Sequence, residues 1–124
     1  LPVIFITFKD VKSDDYHSIY HNLCDLLSKL YHEHRYLLSS DKLYPEQKKD
    51  FEGILNRTAD QITVEMALRN LTQFLYQHFG ATTLVLIDEY DTPILASKQY
   101  DFLNKIVKCI RNMLSAALKD NRYL

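Results

Sequence analysis

The chain has 124 residues, enough for one ordinary domain or a large part of one. Its hydrophobic content of 47% and charged content of 25% are globular values, and a formal net charge of −1 gives no electrostatic case for nucleic acid binding. No apolar run approaches membrane-spanning length, Cys24 and Cys109 sit in apolar helical patterns that predict reduced core thiols, and the expectation is a cytoplasmic protein.

Val3 to Phe8 is short, β-branched and aromatic, and is entered through Pro2, so it predicts a first strand. A helix is expected from about Asp14 to Leu38, with Ser13 as its N-cap and Asp14 and Asp15 near its positive end. Tyr16, Tyr20, Leu23, Leu27, Leu30 and Leu37 recur at helical spacing and give it one apolar face. Pro45 fits the first turn of a second, short helix carrying Phe51, Ile54 and Leu55. A polar linker, Arg57 to Gln61, precedes a third helix from about Thr63 to Phe79, closed by Gly80 in the left-handed conformation.

Leu84 to Ile87, after Thr83, is an unbroken apolar run that predicts a strand buried on both faces, as in a parallel sheet with helices on either side. It leads straight into Asp88, Glu89 and Asp91. Thr92-Pro93 then breaks the chain, and a last helix is expected from about Tyr100 to Leu118. A parallel crossover needs only one helix, so three helices between the two strands predict an enlarged helical insertion.

The acids carry the chemistry. At the carboxyl end of a parallel strand they face the crevice where open α/β sheets bind ligands. An apolar strand ending in Asp-Glu has the Walker B pattern: Asp88 holds Mg²⁺, usually through water, and Glu89 polarises the attacking water. Many strands end in acids that only solvate the tip, so the pattern alone does not decide. Neighbours on a strand point to opposite faces, which predicts separate roles for Asp88 and Glu89. Asp91 either helps to hold the metal-bound water or caps the turn before Pro93. Three close carboxylates also need a cation among them, which is Mg²⁺, a lysine or Arg111. Arg111, on the last helix, is a candidate partner for these acids and a weaker candidate for phosphate contact; its bland alternative is a snorkelling surface arginine. Lys9 and Lys12 follow the first strand and stand near the same crevice. His17 and His21, four apart, make only half a metal site and read as a solvated face.

Several stretches resemble one family. Leu86-Ile87-Asp88-Glu89-Tyr90-Asp91-Thr92-Pro93-Ile94 resembles the signature of the predicted AAA-ATPase-like proteins, P-loop proteins that often carry a nuclease-like domain. Val3 to Lys12, His32 to Leu38, and Ile110 to Asn121 are also similar to family segments, so the resemblance spans nearly the whole chain. It implies ATP and Mg²⁺ as cofactors of the intact domain. No G-x-x-x-x-G-K-[ST] occurs here; the only glycines are Gly53 and Gly80. In the family that loop lies upstream of the first strand present, and the sensor strand lies downstream of Leu124.

The expectation is therefore an α/β chain. It is a single partial domain over residues 1–124, from the middle of a P-loop NTPase-type parallel sheet, with two parallel strands and about four helices. Glu89 is the catalytic base, and Asp88, Asp91 and Arg111 are the cofactor-side residues. No cofactor is expected on the segment alone, nucleic acid would be reached only through other domains, and the open sheet edge predicts self-association. Two alternatives remain: a protein-interaction module that docks through the helical insertion, with nine tyrosines in the chain, and a relative that binds but does not hydrolyse ATP.

Overall fold

Val3–Thr7 (β1) and Leu84–Asp88 (β2) run parallel and side by side in the computed structural model, which describes all of residues 1–124. The register pairs Val3 with Leu84 and ends with Thr7 opposite Asp88, so both strands finish together. The molecule is mixed α/β, with one two-stranded sheet and six α-helices.

Tyr16–Glu33 (α1) begins later than the acidic run suggests. Asp15, not Ser13, is its N-cap: its carboxylate accepts from the Ser18 amide at 2.8 Å and from the Ser18 hydroxyl at 2.9 Å. Those bonds, the amide first, hold the Asp15 carboxyl below its ordinary range. The helix also stops early, at Glu33, and Arg35–Ser39 continues as a 3-10 turn. Pro45–Leu55 (α2) has proline in its first turn, as expected, and the Gln47 side chain accepts from the Tyr44 amide at 2.9 Å.

The third predicted helix is two. Gln61–Glu65 (α3) starts inside the supposed linker because the Asp60 carboxylate caps the Thr63 amide at 2.8 Å. It gives way at Met66 (φ −92°, ψ 0°) to Ala67–Phe79 (α4). Gly80 closes α4 with φ 72°, a conformation that glycine enters without a Cβ penalty. Thr92-Pro93 does not break the chain. It opens a short helix, Thr92–Ser97 (α5), since proline in a first turn gives up an amide that has no partner there. Leu103–Leu118 (α6) completes the chain, and the Asn121 amide group donates to the Ala117 carbonyl at 2.8 Å at its end.

The helices share one core. Ile4, Ile6 and Phe8 of the first strand and its exit belong to a single buried cluster with Ile19, Leu23 and Leu27 of α1, Leu68, Leu71 and Leu75 of α4, and Ile110 and Met113 of α6. Tyr31 is fully buried: its ring meets Phe51 at 4.6 Å between centroids, and its hydroxyl donates to the Ala67 carbonyl at 2.6 Å. That bond ties α1 to the start of α4. Ser28 does the same for α2, donating to the Leu55 carbonyl at 2.6 Å. Cys24 and Cys109 are free thiols. Burial, aided by nearby Glu65, pushes Cys109 up to about 12, so it stays protonated at neutral pH and packs as an apolar group.

One expectation about the sheet fails. β2 is not buried on both faces. Val85 and Ile87 lean on the core, but Leu84 and Leu86 are each 46% exposed, and Val3 and Phe5 beside them on β1 are 45% and 56% exposed. The core covers one face only, so alternate side chains of two apolar strands form a bare patch on the other.

Candidate functional site

The site is built where β1 and β2 end. The backbone carbonyl of Asp88 accepts from the Phe8 amide at 3.0 Å, which extends the parallel ladder one step past the strands. On the side-chain level the Thr7 hydroxyl donates to Asp88 Oδ2 at 3.1 Å. Asp88, Glu89, Tyr90 and Asp91 are all exposed, and β2 delivers them to solvent at the carboxyl end of the sheet.

Glu89 lies outside the strand. Its φ is +51°, in the left-handed region that a side chain enters at a cost of ~1–2 kcal/mol. The simple alternation expected between Asp88 and Glu89 therefore stops at Asp88; a left-handed residue turns the chain out of β2 and into α5. The turn is held by the Glu89 carbonyl, which accepts from the Thr92 amide at 3.1 Å, and by the Asp91 carbonyl, which accepts from Leu95 at 2.8 Å. Asp91 occupies the N-cap position of α5, yet its side chain caps nothing. A glutamate in a sparsely populated conformation, in a loop at a strand's carboxyl end, is a local cost of the kind that collects at functional sites.

No protein cation pairs with these acids. The ion pairs of the chain are Lys29 and Arg57 on Asp25, and neither involves a strand-end acid. Arg111 is exposed on α6 without an ion-pair partner, so the expected pairing with the strand-end acids is not made; Lys9 and Lys12 are exposed as well. No cluster of three or more His, Cys, Asp or Glu side chains is gathered closely enough to hold a metal by itself. That arrangement still suits Mg²⁺, which keeps several waters and is bound through one or two carboxylates plus substrate phosphates. Asp88 offers one such carboxylate, with Oδ2 engaged by Thr7 and Oδ1 open.

Two features of the site carry no signal in the sequence. Thr7 was only the penultimate residue of a predicted strand; its meaning comes from register, which sets it opposite Asp88. The left-handed turn at Glu89 has no sequence signal, because the residue there is not glycine. His78 also gains a partner, with Nδ1 2.7 Å from the Ser40 hydroxyl.

The family model of the predicted AAA-ATPases, described as AAA-ATPase-like, matches residues 1–124. The chain belongs to the predicted AAA-ATPase family. Membership supports an ATPase-like domain and implies a nucleotide and Mg²⁺ for it. No curated protein and no solved structure matches the chain. No helix is long and apolar enough to cross a membrane.

Proposed function

We propose that residues 1–124 are the central part of an ATP-binding and ATP-hydrolysing domain, with β2 as its Walker B strand. The observation that carries this is the delivery of Asp88 and Glu89, exposed and unpaired with any protein cation, to the carboxyl end of a parallel strand in a chain of this family. Asp88 would hold Mg²⁺, whose chemistry there would be to neutralise charge on the phosphates. The chain's own residues supply the rest. Asp88 would bind the ion, directly or through water, with the oxygen that Thr7 leaves free, and Glu89 would take the proton of the attacking water. Asp91 and Arg111 remain the other charged groups available to the nucleotide. Without a phosphate-cradling loop among these residues, the segment alone should not hydrolyse ATP.

The direct test is a Mg²⁺ titration of ATP hydrolysis by the intact protein. Asp88→Asn removes a charge from the metal position, so half-maximal rate should require roughly tenfold more Mg²⁺, the lower end of what a lost metal contact costs. A Mg²⁺ profile identical to that of the parent rules out Asp88 as the metal residue.

The sheet itself favours a second proposal: residues 1–124 expressed alone associate with a second copy. Each strand has one neighbour, so both outer edges lack a ladder partner, and the patch of Val3, Phe5, Leu84 and Leu86 joins those edges. Light scattering should find a dimer or larger species that Phe5→Glu shifts toward monomer. A monodisperse monomer at high concentration overturns it.

A further inference from the structure

We infer that Thr7 is a positioning residue for the metal-bearing carboxylate, a role no motif of the sequence assigns. The inference rests on placing Asp88 at the Mg²⁺ position. The Thr7 hydroxyl sits 3.1 Å from Asp88 Oδ2, across the last rung of the β1–β2 ladder. An ionised carboxylate can only accept, so the hydroxyl is the donor. The surroundings of Thr7 fix that polarity. Its oxygen also faces the Lys9 amide at 3.4 Å, a weak donor contact that leaves the hydroxyl hydrogen for Asp88.

The arrangement holds Asp88 at two levels. The Phe8 amide fixes the backbone carbonyl, and Thr7 fixes one side-chain oxygen. A free aspartate at an exposed strand end samples several rotamers, and binding a metal means giving them up. Thr7 removes much of that cost beforehand, with Oδ1 left open for metal-bound water. Threonine suits the post because its β-branch restricts its own rotation and favours strand backbone. Ligand-orienting partners of this kind are typically worth ~10–100-fold in metal affinity or activity. An exposed hydrogen bond to a carboxylate that acts through water belongs at the lower end.

The probe is Mn²⁺, followed by electron paramagnetic resonance, in the intact protein saturated with a non-hydrolysable ATP analogue. Thr7→Val keeps the shape of the side chain and removes the donor, and should weaken Mn²⁺ binding by about tenfold. Thr7→Ser keeps the hydroxyl and should stay within about twofold of the parent, the price of a freer rotor. Analogue affinity without metal should be the same in all of them. In an Asp88→Asn background, Thr7→Val should have no further effect on Mn²⁺. Thr7→Ala takes the place of Thr7→Val should the valine variant not fold. Parental Mn²⁺ affinity in Thr7→Val, with weakened binding in Asp88→Asn, overturns the role of Thr7 and leaves Asp88 at the metal. A full Thr7→Val effect that persists in the Asp88→Asn background also overturns it, because Thr7 would then act through the fold. Parental affinity in Asp88→Asn itself removes the metal assignment on which the inference stands.

Discussion

Glu89→Gln in the intact protein should bind ATP as the parent does and hydrolyse it ~10²–10⁴-fold more slowly, the usual worth of general acid–base catalysis. Glutamine keeps the length and hydrogen-bonding capacity of the side chain and removes only the base. It also leaves the left-handed backbone at +51° as strained as before, so a lost rate cannot be assigned to a relaxed turn. Glu89 is exposed, so the change should leave folding intact. Asp91→Asn serves as the internal contrast. Asp91 contributes its backbone carbonyl to α5 and no side-chain cap, so its amide variant should be the mildest of the three strand-end changes. Steady-state hydrolysis with a parallel nucleotide-binding titration measures all of them. A parental rate in Glu89→Gln would make these acids structural, and a larger loss in Asp91→Asn would move the base to that residue.

Phe51→Ala should destabilise residues 1–124 by ~3–5 kcal/mol, the range for removing a buried aromatic ring. Phe51 is fully buried at the centre of the helical crossover. Its ring lies 4.6 Å from that of Tyr31 on α1 and 6.3 Å from that of Phe74 on α4, so one side chain joins three helices. Truncation leaves a cavity beside the Tyr31 ring, which its bond to the Ala67 carbonyl holds in place, and beside the buried Phe74, so the site has little freedom to collapse. For a domain of this size the loss should lower the midpoint of thermal unfolding by roughly 10–20 °C. Circular dichroism of the helical signal reads it. A change below about 1 kcal/mol would mean that the crossover helices pack loosely, since surface-like positions alone fall in that range.

What the sequence determined by itself was the class of each long element and the placing of three acids at the end of the second strand. The apolar runs at Val3 and Leu84 specified strands, the 3.6-residue stripes specified α1, α4 and α6, and Pro45 and Gly80 marked an entry and an exit, because each of these signals acts within a few residues of itself. The strand-end acids and the family segments around them were equally local. Short-range competition was harder to read. Asp60 and Asp15 outbid their neighbours as caps, and the kink at Met66 divided one apolar stripe into two helices.

Only the tertiary structure decided which face of the sheet is covered, which residue meets Asp88, and whether Arg111 pairs with the acids. The apolar run of β2 called for cover on both faces; the helices of this chain supply it on one, leaving Leu84 and Leu86 bare. Thr7 and Asp88 are 81 positions apart in sequence, and no periodicity links them. They meet because the crossover returns the chain parallel to β1 in one register, and a slip of a single residue would turn every side chain of β2 to the other face and break the contact.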